Sequence, residues 1–151
     1  MRFFLLLLLL LPSVLLPAQT PGQVDPSSIT IARDAWGVPH IYGPTDASVA
    51  YGLAWANAED AFEEVQMLLT IAKRVRGRID GVEGAKLDFF TGAIQARKHA
   101  QAAYEEMPQD YKDYLQGYCD GLNAYAAEHK RERLHRKAFP AEPVDVVAAF
   151  Y

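Results

Sequence analysis

The chain has 151 residues, with 15 Lys and Arg against 19 Asp and Glu, a formal net charge of −4 at neutral pH, and half of its residues hydrophobic. An acidic chain exerts no overall pull on phosphate, which argues against nucleic acid as a partner, and the length allows one domain with a core of its own. The lone cysteine, Cys119, excludes an internal disulfide; it reads as a small apolar residue on a helix, with a reactive thiol as the alternative.

Met1 and Arg2 give a short cationic tip to the apolar run 3–11, which resumes after Pro12 and Ser13 at Val14, Leu15 and Leu16. This is the layout of a secretory signal peptide, and the run is shorter than the roughly 20 residues that span a bilayer. Pro17-Ala18-Gln19 places cleavage after Ala18. Residues 1–18 are therefore read as a signal peptide rather than an uncleaved anchor. The remaining chain is expected in the periplasm or secreted, without a stable membrane anchor. Residues 19–28 hold Pro21, Gly22, Pro26 and a serine pair, and read as a flexible lead-in.

Residues 29–32 begin β-like with Ile29 and Ile31 on one face, and 38–42 continue with Val38, His40 and Tyr42 alternating against Ile41. Asp34, Ala35, Trp36 and Gly37 supply the turn of a β-hairpin, in which Pro39 needs an edge or a bulge because it lacks a backbone donor. After Pro44, Thr45 can cap a long helix whose first turn carries Asp46. Its rows are Phe62, Val65, Leu69 and Ala72, and beside them Leu68, Ile71 and Val75. Lys73, Arg74 and Arg76 suit the last turn, and Gly77 the C-terminal cap. Gly81 and Gly84 predict a loop, 87–106 a second helix, and Pro108 the first turn of a third. The third helix carries an apolar and aromatic stripe at Tyr111, Leu115, Tyr118, Leu122 and Tyr125, a spacing that packing explains before ligand binding does. The basic segment 129–137 reads as a solvated helix end complementing its own dipole, with anion binding as the alternative.

No familiar catalytic constellation appears. Ser13 lies in the leader, Ser27 and Ser28 in the lead-in and Ser48 in a first helical turn, and no G-x-S-x-G surrounds any of them. His40, His99, His129 and His135 never fall three or four apart, so a zinc site has no helical pair to start from. Glu59, Asp60, Glu63 and Glu64 form a carboxylate cluster with like charges four residues apart, which a cation or another segment's arginine must offset.

Three blocks carry a resemblance. Ile31-Ala-Arg33-Asp34-Ala-Trp-Gly37-Val38-Pro39-His40-Ile41 resembles the N-terminal signature of the penicillin acylase family, which includes acyl-homoserine lactone and aculeacin-type acylases. Tyr51-Gly52-Leu53-Ala-Trp-Ala56-Asn-Ala58-Glu59-Asp60 resembles the next block, and Gly117-Tyr118-Cys-Asp120-Gly121-Leu122-Asn123-Ala-Tyr125 a third. Ala61 departs from the arginine common after the aspartate, and Ala54 from a common glycine; the run 58–62 leans toward the aculeacin and lactone acylase branch.

The resemblance implies an α+β fold: a mostly helical α-chain fragment with an N-terminal β-hairpin, spanning residues 29–151 and completed by a β chain into an αββα N-terminal nucleophile hydrolase. It implies an exported precursor that cleaves itself, freeing a serine whose own α-amino group, with a free pKa of about 7.7 to 8, serves as general base. That serine is expected beyond Tyr151, so no catalytic residue is assigned in this chain. Arg33, Asp34, Gly37, His40, Asp60 and Asn123 are expected to be structural motif residues. No cofactor or metal ligand is assigned either: the calcium-binding glutamate of penicillin G acylases is expected further on, and calcium belongs to the expectation for the full-length protein. The expected partners are the β chain of the same precursor and an N-acyl small molecule. The competing reading is a freestanding exported helical binding module that uses the face from Tyr111 to Tyr125.

Overall fold

The computed structural model describes residues 24–151, so the expected signal peptide, 1–18, and residues 19–23 lie outside the described part. Among the described residues the architecture is mostly helical with one two-stranded antiparallel sheet. Within the described part of the lead-in, Pro26–Ser28 form a 3-10 turn in which the Asp25 carboxylate accepts the Ser27 amide. Strands β1 (Thr30–Arg33) and β2 (Pro39–Tyr42) pair with Ile31 opposite Ile41 and Arg33 opposite Pro39. A two-stranded sheet has only edges, which is the position Pro39 requires.

Helix α1 (Asp46–Ala72) starts where Thr45 and Ser48 form a reciprocal capping box. Non-helical backbone at Ala61 (φ −151°, ψ 49°) breaks it into two rods. The row Phe62, Leu69 and Ala72 is buried with Val65 packed beside it, whereas Leu68 is exposed and the second row lies at the surface of the core. Helix α5 (Gln109–Glu128) runs against α1 and supplies Cys119, Leu122, Tyr125 and Ala126 to that core. Pro108 stands as its N-cap, one residue earlier than expected. The stripe is therefore mainly packing: Leu122 and Tyr125 are buried, Leu115 and Tyr118 half-buried, and Tyr111 exposed. Burial, then the negative charge of Asp145 and Asp120, pushes the Cys119 thiol up to about 12, so it is an inert core residue.

Four boundaries differ from the sequence reading, each for a local reason. The long helix ends at Ala72, not at Gly77, because Arg74 takes a left-handed conformation (φ 55°) and the next amides, those of Arg76 and Gly77, bond to the Asp88 carboxylate at 3.0 and 2.8 Å. Gly77 instead opens the short α2 (Gly77–Asp80). The stretch 81–84 is no loop: Gly81 (φ 63°) precedes α3 (Val82–Ala93), and Gly84 lies inside it, where a side chain would strike the Arg76 carbonyl. The helix expected over 87–106 is divided by Gln95 in a left-handed conformation (φ 54°), giving α3 and α4 (Ala96–Glu106). The basic segment is not a helix end, since α5 stops at Glu128, residues 130–132 form a turn, and 133–135 run irregularly into a 3-10 turn at Arg136–Ala138. Helix α6 (Pro143–Ala148) follows, capped by Glu142 and Asp145.

Helices α1 and α5 approach closely at two glycines. A methyl group at Gly117 would meet the Ala47 carbonyl, and one at Gly121 the Tyr51 carbonyl and the Ala54 side chain. Only hydrogen fits between these backbones. Gly121→Ala is expected to lower stability to urea by about 1–3 kcal/mol through forced separation of the two helices; an unchanged unfolding midpoint would show that they do not approach this closely.

Candidate functional site

The motif residues of the hairpin converge on the first rod of α1. Ile29, Ile31 and Ile41 close over Gly52, where a side chain would strike Ile41 and Ile29. This seats the hairpin so that Arg33 reaches the end of the rod. One guanidinium nitrogen donates to the Gly37 carbonyl at 2.9 Å and to Asp60 at 3.1 Å, and the other to Glu59 at 3.0 Å. The hydrogen bonds to Glu59 and Asp60 raise the Arg33 pKa, so its charge is permanent. Arg33 is thus the offsetting cation for Glu59 and Asp60, two of the four carboxylates of the cluster, and Trp55 donates to the second Glu59 oxygen at 3.1 Å.

Asp34 organises the turn. Its carboxylate accepts the Trp36 and Val38 amides at 2.8 and 3.0 Å and lies 3.4 Å from His40 Nε2. Gly37 completes the turn at φ 82°, a region that disfavours side chains. The structure therefore brings together Arg33, Asp34, Gly37, His40 and Asp60. Asn123 is elsewhere: on α5 its amide holds the Ala141 backbone from both sides, donating at 3.0 Å and accepting at 2.7 Å, and so sets the approach to α6.

This arrangement clamps; it does not offer a nucleophile. Ser27 donates to Asp25 and Ser48 to the Thr45 carbonyl, and among the described residues no serine has a histidine partner. Nor do they hold a group of three or more His, Cys, Asp and Glu side chains placed for a metal ion. Glu59 and Asp60 direct their carboxylates to Arg33, which does not fit a calcium site.

Sequence reasoning missed a second ionic centre. Asp145, fully buried, pairs with Lys73 at 2.6 Å and with Arg97, accepts the Glu142 amide at 2.9 Å, and Arg97 also holds Glu142 at 3.1 Å. It joins the end of α1, α4 and the start of α6. The signal available was the cap pattern Glu142-Pro143-Val144-Asp145, which marks a helix start but not its burial. Gln66, also fully buried, was missed as well; it bonds the Glu132 carbonyl and the His135 amide, at 3.1 and 3.0 Å.

The penicillin amidase family model matches residues 28–150, nearly all of the described chain. The chain belongs to the penicillin amidase family. Among relatives of this family, penicillin acylase 2 proenzyme from Pseudomonas sp. (strain SE83) is 29% identical over 125 residues, covering 82% of this chain and 16% of that protein. Penicillin G acylase from Escherichia coli is 30% identical over 110 residues (69% of this chain, 12% of the relative), and acyl-homoserine lactone acylase PvdQ from Pseudomonas fluorescens (strain Pf0-1) 25% over 127 residues (79% and 16%). The chain thus spans at most about a sixth of the length of these relatives. The fold is shared with a thermostable penicillin G acylase from Alcaligenes faecalis, with a TM-score of 0.69 at 24% identity, over 82% of this chain and 70% of that one. The mostly helical architecture with a leading hairpin is that of this amidase family.

The Asp34 carboxyl is held below the ordinary aspartate range by the Trp36 amide first, then the Val38 amide, with His40 adding to the effect. Its contribution to the hairpin is complete above the unfolded value of about 3.9 and is lost as pH falls through the lower folded value. The Trp36 and Val38 amides should therefore stay protected from exchange at about pH 4 and lose protection only on further acidification. An Asp34 titration midpoint at or above about 3.9 by NMR would contradict this.

Proposed function

We propose that this chain is the N-terminal framework of an exported, self-processing acylase that hydrolyses a linear amide bond in an N-acyl substrate. The observation that carries the reading is the family match over 28–150 in a chain that holds only a small fraction of its relatives' length, one of which is named a proenzyme. The clamp around Arg33 fits a framework role. The nucleophile is then a serine freed at the start of a β chain, its α-amino group taking up the proton as the hydroxyl attacks the amide carbonyl. Backbone and side-chain donors of that chain stabilise the oxyanion. Calcium, where the full-length protein uses it, takes ligands outside the cluster at Glu59 and Asp60.

The leader at 1–18 supports export, and no helix among the described residues is long and apolar enough to cross a membrane. The second reading, a freestanding binding module, is favoured by an open groove of about 680 Å³ lined by Met107, Tyr111, Tyr114, Leu115, Val147 and Phe150. That size suits a small apolar ligand.

The decisive experiment expresses the complete reading frame, reads the chain termini by mass spectrometry and tests phenylacetyl, short-chain and long-chain amides, acyl-homoserine lactones included. Cleavage into two chains, a new N-terminal serine and hydrolysis abolished by replacing that serine with alanine are expected. One uncleaved polypeptide that hydrolyses none of these amides overturns the acylase reading.

A further inference from the structure

The segment 129–137 holds Lys130, Arg131, Arg133, Arg136 and Lys137 against one acidic residue, Glu132, in a chain whose formal charge is −4. Elsewhere among the described residues four of the nine basic side chains, Arg74, Arg78, Lys98 and Lys112, stand singly, while five, Arg33, Lys73, Arg76, Lys86 and Arg97, form ion pairs. Among the described residues none of the five cations of this segment does. Glu132 forms no ion pair with them, its carboxylate accepting the hydroxyl of Tyr125 at 3.3 Å, and five cations less one carboxylate leave the segment a formal charge of +4. Arg76, at the N-cap of α2 and itself paired with Asp80, lies 3.5 Å from His135 Nε2, so it offers this segment no carboxylate.

The backbone of the segment is fixed from below. Gln66 grips both the Glu132 carbonyl and the His135 amide, so the residues between them are displayed on a staple rather than on a loose loop. Between the grips stands Leu134, 58% exposed, with its amide bonded to the Glu132 carbonyl at 2.9 Å. Lys130, Arg131, Arg136 and Lys137 are exposed on either side of it. An apolar side chain held out among unpaired cations is costly in water and favourable where acyl chains lie beneath a layer of phosphates.

We propose that the 130–137 turn docks on the surface of an anionic phospholipid membrane, the cations meeting headgroup phosphates and Leu134 entering the acyl boundary. Charge complementarity selects this occupant over a zwitterionic surface, and the exposed leucine selects it over a dissolved anion, which has no use for it. The contact is peripheral and reversible, distinct from a spanning anchor, and it holds whether or not the acylase reading does.

The test uses the full chain carrying Leu134→Trp, which keeps an apolar side chain at the contact. Vesicles contain brominated phosphatidylglycerol in one arm and brominated phosphatidylcholine alone in the other. Quenching beyond that of the parent chain is expected only with phosphatidylglycerol, falling away at about 0.5 M salt. Replacing Arg131, Arg136 and Lys137 by Gln in the same chain should weaken the partition at least ~10-fold, with circular dichroism unchanged. Both chains carry the same leader, so its own affinity for lipid cancels from the comparison. Equal quenching in the two lipids, or quenching that survives the three substitutions, overturns the proposal. So does loss of binding on adding inorganic phosphate or an oligonucleotide at matched ionic strength, which would mark a discrete anion site.

Discussion

The fold depends on how closely α1 and α5 can approach. Gly117 and Gly121 face the carbonyls of Ala47 and Tyr51, and the residues beside them are small: Ala50, Ala54 and Ala58 are fully or almost fully buried. Such a seam gains little from the size of any one side chain. It gains from dispersion between backbones in contact, a term that falls off steeply with separation. The larger residues then fill the margin of the seam rather than its centre: Phe62, Leu122 and Tyr125 pack together, with the Phe62 and Tyr125 rings edge to face at 4.9 Å.

Everything of interest hangs from the ends of this seam. At one end Gly52 leaves room for the three isoleucines, so the hairpin lies flat enough for Arg33 to reach Glu59 and Asp60. At the other, Lys73 at the end of α1 and Arg97 on α4 converge on Asp145, fixing where α6 begins. A buried carboxylate is tolerable there because two cations and a backbone amide surround it, and removing any of them would leave charge stranded in the interior. Asn123, on α5 itself, holds the strand of chain that enters α6. Of the motif residues, Arg33 and Asp60 tie the hairpin to α1 and Asn123 ties the approach to α6 to α5, while Asp34, Gly37 and His40 shape the hairpin turn itself.

The sequence made legible what short-range chemistry decides. Alternating isoleucines, a turn with Asp34 and Gly37, and the Thr45 and Ser48 cap specify the hairpin and the start of α1 with no help from tertiary contacts. The stripe on α5 was readable as core because its period matches a helix, though Tyr111 escapes burial where the helix runs past its neighbour. What escaped reading is set by partners distant in sequence. Gly77 looks like a cap, yet Asp88 supplies the acceptor that turns the chain earlier, at Arg74. Gln95 is an unremarkable residue by propensity, and its left-handed backbone splits a helix that composition alone would have continued. The basic segment leaves the helix where Gln66 binds the Glu132 carbonyl and the His135 amide, and a glutamine in a helix announces nothing by itself. The clamp was half legible: the carboxylates asked for a cation, and only the fold shows that Arg33 is the one.

The chain belongs to the penicillin amidase family, and the framework role proposed above asks for rigidity in this pair of helices. The most direct test of the account is native-state hydrogen exchange across the described chain. If the α1–α5 seam is the constraint on which the rest depends, amides of Ala54 to Ala58 and of Gly117 to Tyr125 should be the last to exchange and share one opening free energy, with the hairpin, α3 and the 130–137 turn opening below it. Slowest exchange in α3 and α4, or independent opening of α1 and α5, would contradict it.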